Sequence, residues 1–253
     1  MYSSELYIEL LKKILLNEIY FDHERSDIVG IDERQRLELR RQGKDIPEFG
    51  LTMVGRLRLD SLHNCVVQAL SDGIEGDLLE AGTWRGGASI LMRGILKVHD
   101  IHDRSVWVAD SFAGLPPPNL TLYPADAGDT LHTRDDLRVS VEQVKFNFSR
   151  FDLLDDQVRF IKGFFSDTLP SAPVEKIAVL RLDGDMYEST IVSLRALYDK
   201  VSPGGFIVID DYNCYESCRQ ATTDFLGERG LTVAIEEIDW TGAFWRKGFD
   251  SCP

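Results

Sequence analysis

Between residues 77 and 211, short unbroken apolar runs alternate with segments whose apolar positions recur at helical spacing. The runs are "DLLEA" (77–81), "VWVAD" (106–110), "VRFIKG" (158–163), "KIAVLRLD" (176–183) and "GFIVIDD" (205–211), with helices expected at about 88–98, 139–150 and 188–199. Runs of Val, Ile and Leu without polar alternation suit strands buried on both faces, hence a mostly parallel sheet covered by helices. Right-handed crossovers then wind the sheet doubly, which is an α/β, Rossmann-like architecture. The tail "LTVAIEEIDWTGAFWRK" (231–247) reads as two strands around the turn "WTG", an antiparallel edge pair that completes seven strands.

Upstream the pattern is helical. Leu6, Leu10, Ile14 and Leu15 predict an amphipathic helix within 1–20, and Leu57, Leu62, Val66 and Leu70 share one side of a second helix over 56–70. Residues 21–50 are charged and irregular, a mobile segment ending near Pro47 and Gly50, in which the run at 34–44 is expected to be a solvated helix face. The chain thus divides into a helical extension or lid (1–70) and an α/β domain (71–253). Residues 112–136, rich in Pro, Gly and Asp, are long for a loop in a compact domain and suit a lid or substrate-binding element.

A net charge of −14 argues against nucleic acid or an anionic membrane as the main partner. No apolar stretch reaches the roughly 18–20 residues of a membrane span, and the N-terminus lacks the basic start of a secretory signal. Cys65, Cys214, Cys218 and Cys252 show no paired C-x2-C spacing, so reduced thiols in a cytoplasmic protein are the simpler reading.

"LLEAGTWRGGAS" (78–89) is a strand, a tight turn and a helix start, with Gly82 turning the backbone and Gly86 and Gly87 allowing close approach of the helix. Asp110 ends the next strand, where a carboxylate can accept two ribose hydroxyls. A dinucleotide site would need a second glycine where Trp84 stands, and a phosphate loop would need G-K-[ST]. Glu80 before the turn suits a positively charged ligand without phosphate, S-adenosylmethionine; a purely structural turn is the alternative.

Asp183, Asp210 and Asp211 also fall at strand ends, where a doubly wound sheet opens its ligand crevice. Three neighbouring carboxylates repel one another unless a cation neutralises them, and an all-oxygen set favours Mg²⁺, Mn²⁺ or Ca²⁺. The alternative is that some of them cap turns or helices, Asp211 the helix after Tyr212. A divalent cation beside a methyl donor can lower a hydroxyl's pKa and hold its oxygen in line. Asp185 is then the first choice for the base, with Glu188 and His63 behind it; alternatively Asp185 is a helix N-terminal acid.

Taken together, "EAGTWRGGAS", "VWVADSFAGLP", "GFFSDTLP", "VLRLDGDMYEST", "PGGFIVIDDY", "EEIDWTGAFWR" and "TMVGRLRLDSL" resemble the macrocin O-methyltransferase family, over about 50–247. The resemblance implies a class I methyltransferase over 71–253, with S-adenosylmethionine as donor and Mg²⁺ as cofactor. The acceptor it implies is a sugar hydroxyl of a glycosylated bacterial natural product or activated deoxysugar. It puts Asp183, Asp210 and Asp211 on the metal and makes Asp185 the base. Met53, Glu80, Gly82, Thr83, Gly86, Asp110, Ser111, Phe165, Ser166 and Asp183 would surround the donor. It further implies a homo-oligomer with N-terminal lids. Tyr123, His132 and Tyr212 are candidate sugar contacts. A phenolic or catechol-type O-methyltransferase is the nearest rival, and a non-catalytic binding module the rival from another class.

Overall fold

In the computed structural model, which describes residues 3–21 and 30–248, the alternating runs form one seven-stranded sheet. Its strands are β1 (Asp77–Ala81), β2 (Val106–Asp110), β3 (Val158–Lys162), β4 (Ile177–Leu182), β5 (Val201–Ile209), β6 (Glu236–Glu237) and β7 (Ala243–Arg246), in spatial order β3-β2-β1-β4-β5-β7-β6. The first five are parallel, and β7 runs antiparallel to β5 and β6. The expected edge pair is present, but residues 231–235 stay outside it and β6 is two residues long.

Side-chain parity divides the core. Leu78, Val108, Val179 and Val208 face one layer with α1 (Ser3–Leu15), α3 (Gly55–Ser71), α4 (Gly87–Val98) and α5 (Val141–Ser149). Leu79, Ala109, Leu180 and Ile207 face the other, with α7 (Tyr187–Leu197) and α8 (Glu216–Glu228). Burial of β4 and most of β5 on both faces explains why their sequences read as continuous apolar runs. A one-turn helix, α6 (Phe165–Thr168), follows β3.

Two upstream expectations change. On α1 the residues that enter the core are Ile8, Leu11 and Leu15, whereas Leu6, Leu10 and Ile14 are 40–56% exposed. Both rows have helical spacing, so periodicity alone could not choose between them. Leu57 is likewise exposed while Leu62 and Val66 are buried. The described part of 21–50 is not irregular throughout. It carries α2 (Glu33–Arg41), started by a capping box in which Asp32 and Gln35 exchange side-chain-to-backbone hydrogen bonds. Arg40 is buried rather than solvated, paired with Asp45 and donating to the Leu16 carbonyl. Residues 22–29 of that segment, like Cys252, lie outside the described residues. Cys65, Cys214 and Cys218 are free thiols. Among the described residues no helix is long and apolar enough to cross a membrane.

Candidate active site

The acids sit in a row because the sheet's hydrogen bonds continue one residue past its strands. Gly82 N donates to Ala109 O, Asp183 N to Ala81 O and Asp210 N to Leu182 O, each at 2.9 Å. Asp110, Gly82, Asp183 and Asp210 therefore stand side by side at the C-terminal edge of β2, β1, β4 and β5. The reason for glycine at 82 is on this edge. Its φ is +93°, and a Cβ there would lie 1.7 Å from the Asp183 carbonyl oxygen. A cavity of about 1060 Å³ opens above the row.

Of the residues expected around the donor, Met53, Glu80, Gly82, Thr83, Asp110, Ser111, Phe165, Ser166 and Asp183 line this cavity. Gly86 does not; it is the left-handed N-cap of α4 and faces Val144 of α5. Asp110 accepts from Thr83 N and Phe112 N, both 2.8 Å, which aims its carboxyl across the turn. Glu80 is buried with both oxygens engaged: Oε1 accepts from Arg181 Nη1 at 2.5 Å, and Oε2 from the Thr83 and Ser89 hydroxyls. The cation Glu80 meets in the structure is thus a protein side chain. Burial pushes its carboxyl above the ordinary range and Arg181 opposes the shift.

Arg181 owes its position to register. It pairs laterally with Glu80 across β1 and β4, on the face reached by α3. There it also meets Asp183 at 3.0 Å and Asp210, and Arg58 of α3 completes the network by pairing with Asp210 and with Asp239 at 3.1 Å. Parity sends Asp210 toward these two guanidiniums, one on each oxygen, and sends the next residue, Asp211, elsewhere.

Asp211 joins a different group. Single carboxylate oxygens of Asp183, Asp185 and Asp211 lie within 4.8 Å of one another. The structure therefore groups Asp185, expected as base, with two expected ligands, while Asp210 is held between arginines. Asp185 adopts φ +59°, an uncommon conformation for a non-glycine residue, and its N–H donates to Asp211 Oδ2 at 3.3 Å. Burial, then the charges of Asp183 and Asp210, push the Asp185 carboxyl up to about 8; Asp183 and Asp211 are also raised, chiefly by burial. Crowded, partly buried carboxyls with oxygen donors only are the environment a hard divalent cation relieves, so the residues present fit Mg²⁺.

The competing capping roles go to other groups. The first amides of α7 donate to Asp126, from Tyr187 N at 2.6 Å and Glu188 N at 3.0 Å, so Asp185 is not that helix's cap. The N-cap of α8 is Tyr215, without a side-chain cap from Asp211. Glu188 lines the cavity, whereas His63 packs against Lys12 of α1, 3.2 Å away and outside it. Tyr123, His132 and Tyr212 do not line the cavity; Tyr123 lies against Tyr187 and Tyr212 under Arg219. Sequence reasoning passed over Arg58, Arg181 and Asp126. A signal existed for Arg181 alone, a charge inside an otherwise apolar strand.

The strand order, the reversed β7 and the crevice at the parallel edge define a class I S-adenosylmethionine-dependent methyltransferase fold. A near neighbour among solved structures is the O-methyltransferase NovP, with a TM-score of 0.91 at 43% identity over 97% of this chain and 100% of that one. Residues 4–247 match the family model described as Macrocin-O-methyltransferase (TylF), and the chain belongs to that family of O-methyltransferases. One relative, from Streptomyces olivaceus, is 49% identical over 96% of this chain and 93% of its own. It is named as the 4'-O-methyltransferase of 8-demethyl-8-(2,3-dimethoxy-alpha-L-rhamnosyl)-tetracenomycin C. Another, from Micromonospora griseorubida, is 47% identical over 96% of both chains and is named Mycinamicin III 3''-O-methyltransferase.

Proposed function

We propose that the protein transfers the methyl group of S-adenosylmethionine to a sugar hydroxyl of a glycosylated natural product, with Mg²⁺ held at the Asp183, Asp185 and Asp211 cluster. The observation that carries this reading is the placement of that cluster in the same cavity as the Glu80–Asp110 turn. Both sites at one sheet edge let an acceptor oxygen meet the donor methyl group. The relatives named for sugar methylation support the acceptor class. Glu80, Gly82, Thr83, Asp110 and Ser111 would hold the donor, with Met53 on one side and Phe165 and Ser166 on the other. When bound, Mg²⁺ supplies the positive charge that makes a sugar hydroxyl acidic enough to react. Asp185 takes the hydroxyl proton on a carboxylate oxygen, and of the two arginines beside Asp210, Arg181 ties the edge of β5 to β4 and Arg58 ties it to α3. The exposed row Leu6, Leu10 and Ile14 supports the expectation of a homo-oligomer.

The test uses 8-demethyl-8-(2,3-dimethoxy-alpha-L-rhamnosyl)-tetracenomycin C and mycinamicin III as acceptors, with turnover and Mn²⁺ binding measured on Asp185→Asn and Asp210→Asn. Asp185→Asn keeps an oxygen ligand but cannot take a proton. Retained Mn²⁺ binding with turnover down by about 10²-fold or more supports the base. A phenolic acceptor would be only weakened, because its hydroxyl ionises more readily. Undiminished turnover in EDTA would sink the metal reading; Mn²⁺ binding should be unchanged in Asp210→Asn, and its loss would return Asp210 to the ligands.

A further inference from the structure

Arg85 and Trp84 lie in the donor turn, where the Trp84 backbone N–H is a further donor to Asp110, and their side chains reach away to two other segments. The Arg85 guanidinium Nη1 donates to three backbone carbonyls within four residues, Pro47 at 3.0 Å, Glu48 at 2.9 Å and Gly50 at 2.8 Å. A few residues on, Gly87 N donates to Leu51 O at 3.0 Å, and a Cβ on Gly87 would lie 2.5 Å from that same oxygen. The N-terminal segment is therefore laid directly on the turn. Trp84 reaches the opposite way. Its indole Nε1 donates to the Asp136 carbonyl at 2.8 Å, at the end of the long 112–136 loop. The two side chains stack, with the guanidinium carbon 4.0 Å from the indole centroid. The turn is fixed from behind, since buried Asn147 of α5 donates to Arg85 O at 2.9 Å. Trp84 holds φ +49°, so its backbone is bent to this arrangement.

Both segments wall the cavity, the first through Ile46, Pro47 and Glu48, the second through Leu131, Arg134 and Leu137. Arg134 belongs to the charged surroundings of Asp185. We infer that Arg85 and Trp84 are positioning residues that hang the two walls of the acceptor compartment on the donor turn, so that one stacked pair sets the width of the space beside Asp185. The inference rests on the proposed methyl transfer for what the compartment receives, but the attachment itself is independent of it. Charge-assisted bonds from one guanidinium to three carbonyls are the stronger half, and the single neutral indole bond the weaker.

Hydrogen exchange on the full chain reads each wall separately, with and without S-adenosylhomocysteine. Arg85→Met should speed exchange in peptides spanning 45–54, and Arg85→Lys, whose ammonium carries three donors, should restore part of the protection. Trp84→Phe, which keeps an aromatic ring beside Arg85, should speed exchange in 131–138 and leave 45–54 protected. Both should leave β1, β4 and β5 unchanged. On whichever of the two glycosides is turned over, Trp84→Phe should raise acceptor KM about tenfold while kcat and the S-adenosylhomocysteine Kd stay within about threefold. Wild-type exchange at both walls in the variants would overturn the inference, as would loosening of the core strands to the same degree. If the wild-type chain binds no S-adenosylhomocysteine, the donor reading fails, and the unliganded exchange comparison still decides the attachment.

Discussion

Replacing Arg181 with Met removes the guanidinium that Glu80, Asp183 and Asp210 share while keeping an unbranched side chain in the strand. Asp210 keeps Arg58, and Asp183 is 27% exposed, so the cost concentrates on Glu80, which is 1% exposed. Breaking a buried pair by removing one partner typically costs about 3–5 kcal/mol, because the other charge is left uncompensated. An upper bound follows from Glu80 itself, since the folded protein can protonate it instead. At pH 7 that lies two and a half units above its ordinary value of 4.5, and at 1.36 kcal/mol per unit it caps the charge penalty at about 3.4 kcal/mol. At about pH 5 the same cap falls below about 1 kcal/mol. The sign follows from linkage: a carboxyl whose folded-state pKa is raised binds more protons folded than unfolded, so the variant loses stability as pH rises through that window. Urea unfolding of wild type and Arg181→Met in EDTA at both pH values measures this. The expected loss is about 3 kcal/mol at pH 7, shrinking toward about 1 kcal/mol at pH 5, with Glu80→Gln in the Arg181→Met background recovering most of the difference. A loss below about 1 kcal/mol at pH 7, or an equal loss at both pH values, would refute a buried ion pair between these strands.

The carboxylate cluster makes a related prediction. With Asp185 raised from 3.8 to about 8, metal-free stability should fall across that interval as pH rises, and Mg²⁺, which binds the ionised form, should flatten the slope. Tm against pH in EDTA and in excess Mg²⁺ checks this, and an unchanged slope with Mg²⁺ would count against a cation site. Gly82→Ala should cost about 3 kcal/mol or more, combining left-handed strain with a clash against the Asp183 backbone. Gly128→Ala has a φ of +89° but open space around it, so it should cost only about 1–2 kcal/mol; equal losses in thermal melts would show that strain alone matters at Gly82.

The identity of β4 and β5 was legible because burial on both faces leaves a direct record, an apolar run closed by an acid. Strand order and register leave none, yet they decide the site: Asp183 and Asp210 meet because β4 and β5 pair, although 27 positions separate them. Register also explains why adjacent Asp210 and Asp211 part company. Parity carries Asp210 to the face where Arg58 arrives from α3, and that arrival depends on helix packing that no local pattern encodes. On α1 only Leu15 of the expected face is buried, and the reason is ambiguity, since Leu6–Leu10–Ile14 and Ile8–Leu11–Leu15 both satisfy helical spacing. Asp126 was hidden for another reason. It caps α7 from 61 residues away in sequence, and its own neighbours look like those of any turn.

The charges at this edge form a sequence of decreasing compensation. Asp210 has two guanidiniums, Glu80 has one and two hydroxyls, and Asp183 shares one, whereas Asp185 and Asp211 have a backbone amide between them and only more distant arginines, Arg134 for the first and Arg58 for the second. Compensation falls from the sheet's interior toward the cavity, so the protein satisfies its inner acids and leaves the outer ones in need of positive charge. A cation bound there would lie against partners already fixed in place, because the arginines behind hold the strand ends whether or not it is present. The same inner network isolates Glu80 from solvent, which makes the acid before the glycine turn a structural anchor of the cavity as well as part of its wall. Electrostatic need at the surface of the cleft, resting on electrostatic satisfaction beneath it, is what the proposed methyl transfer would use, since an acceptor could be held and deprotonated there without the sheet edge moving.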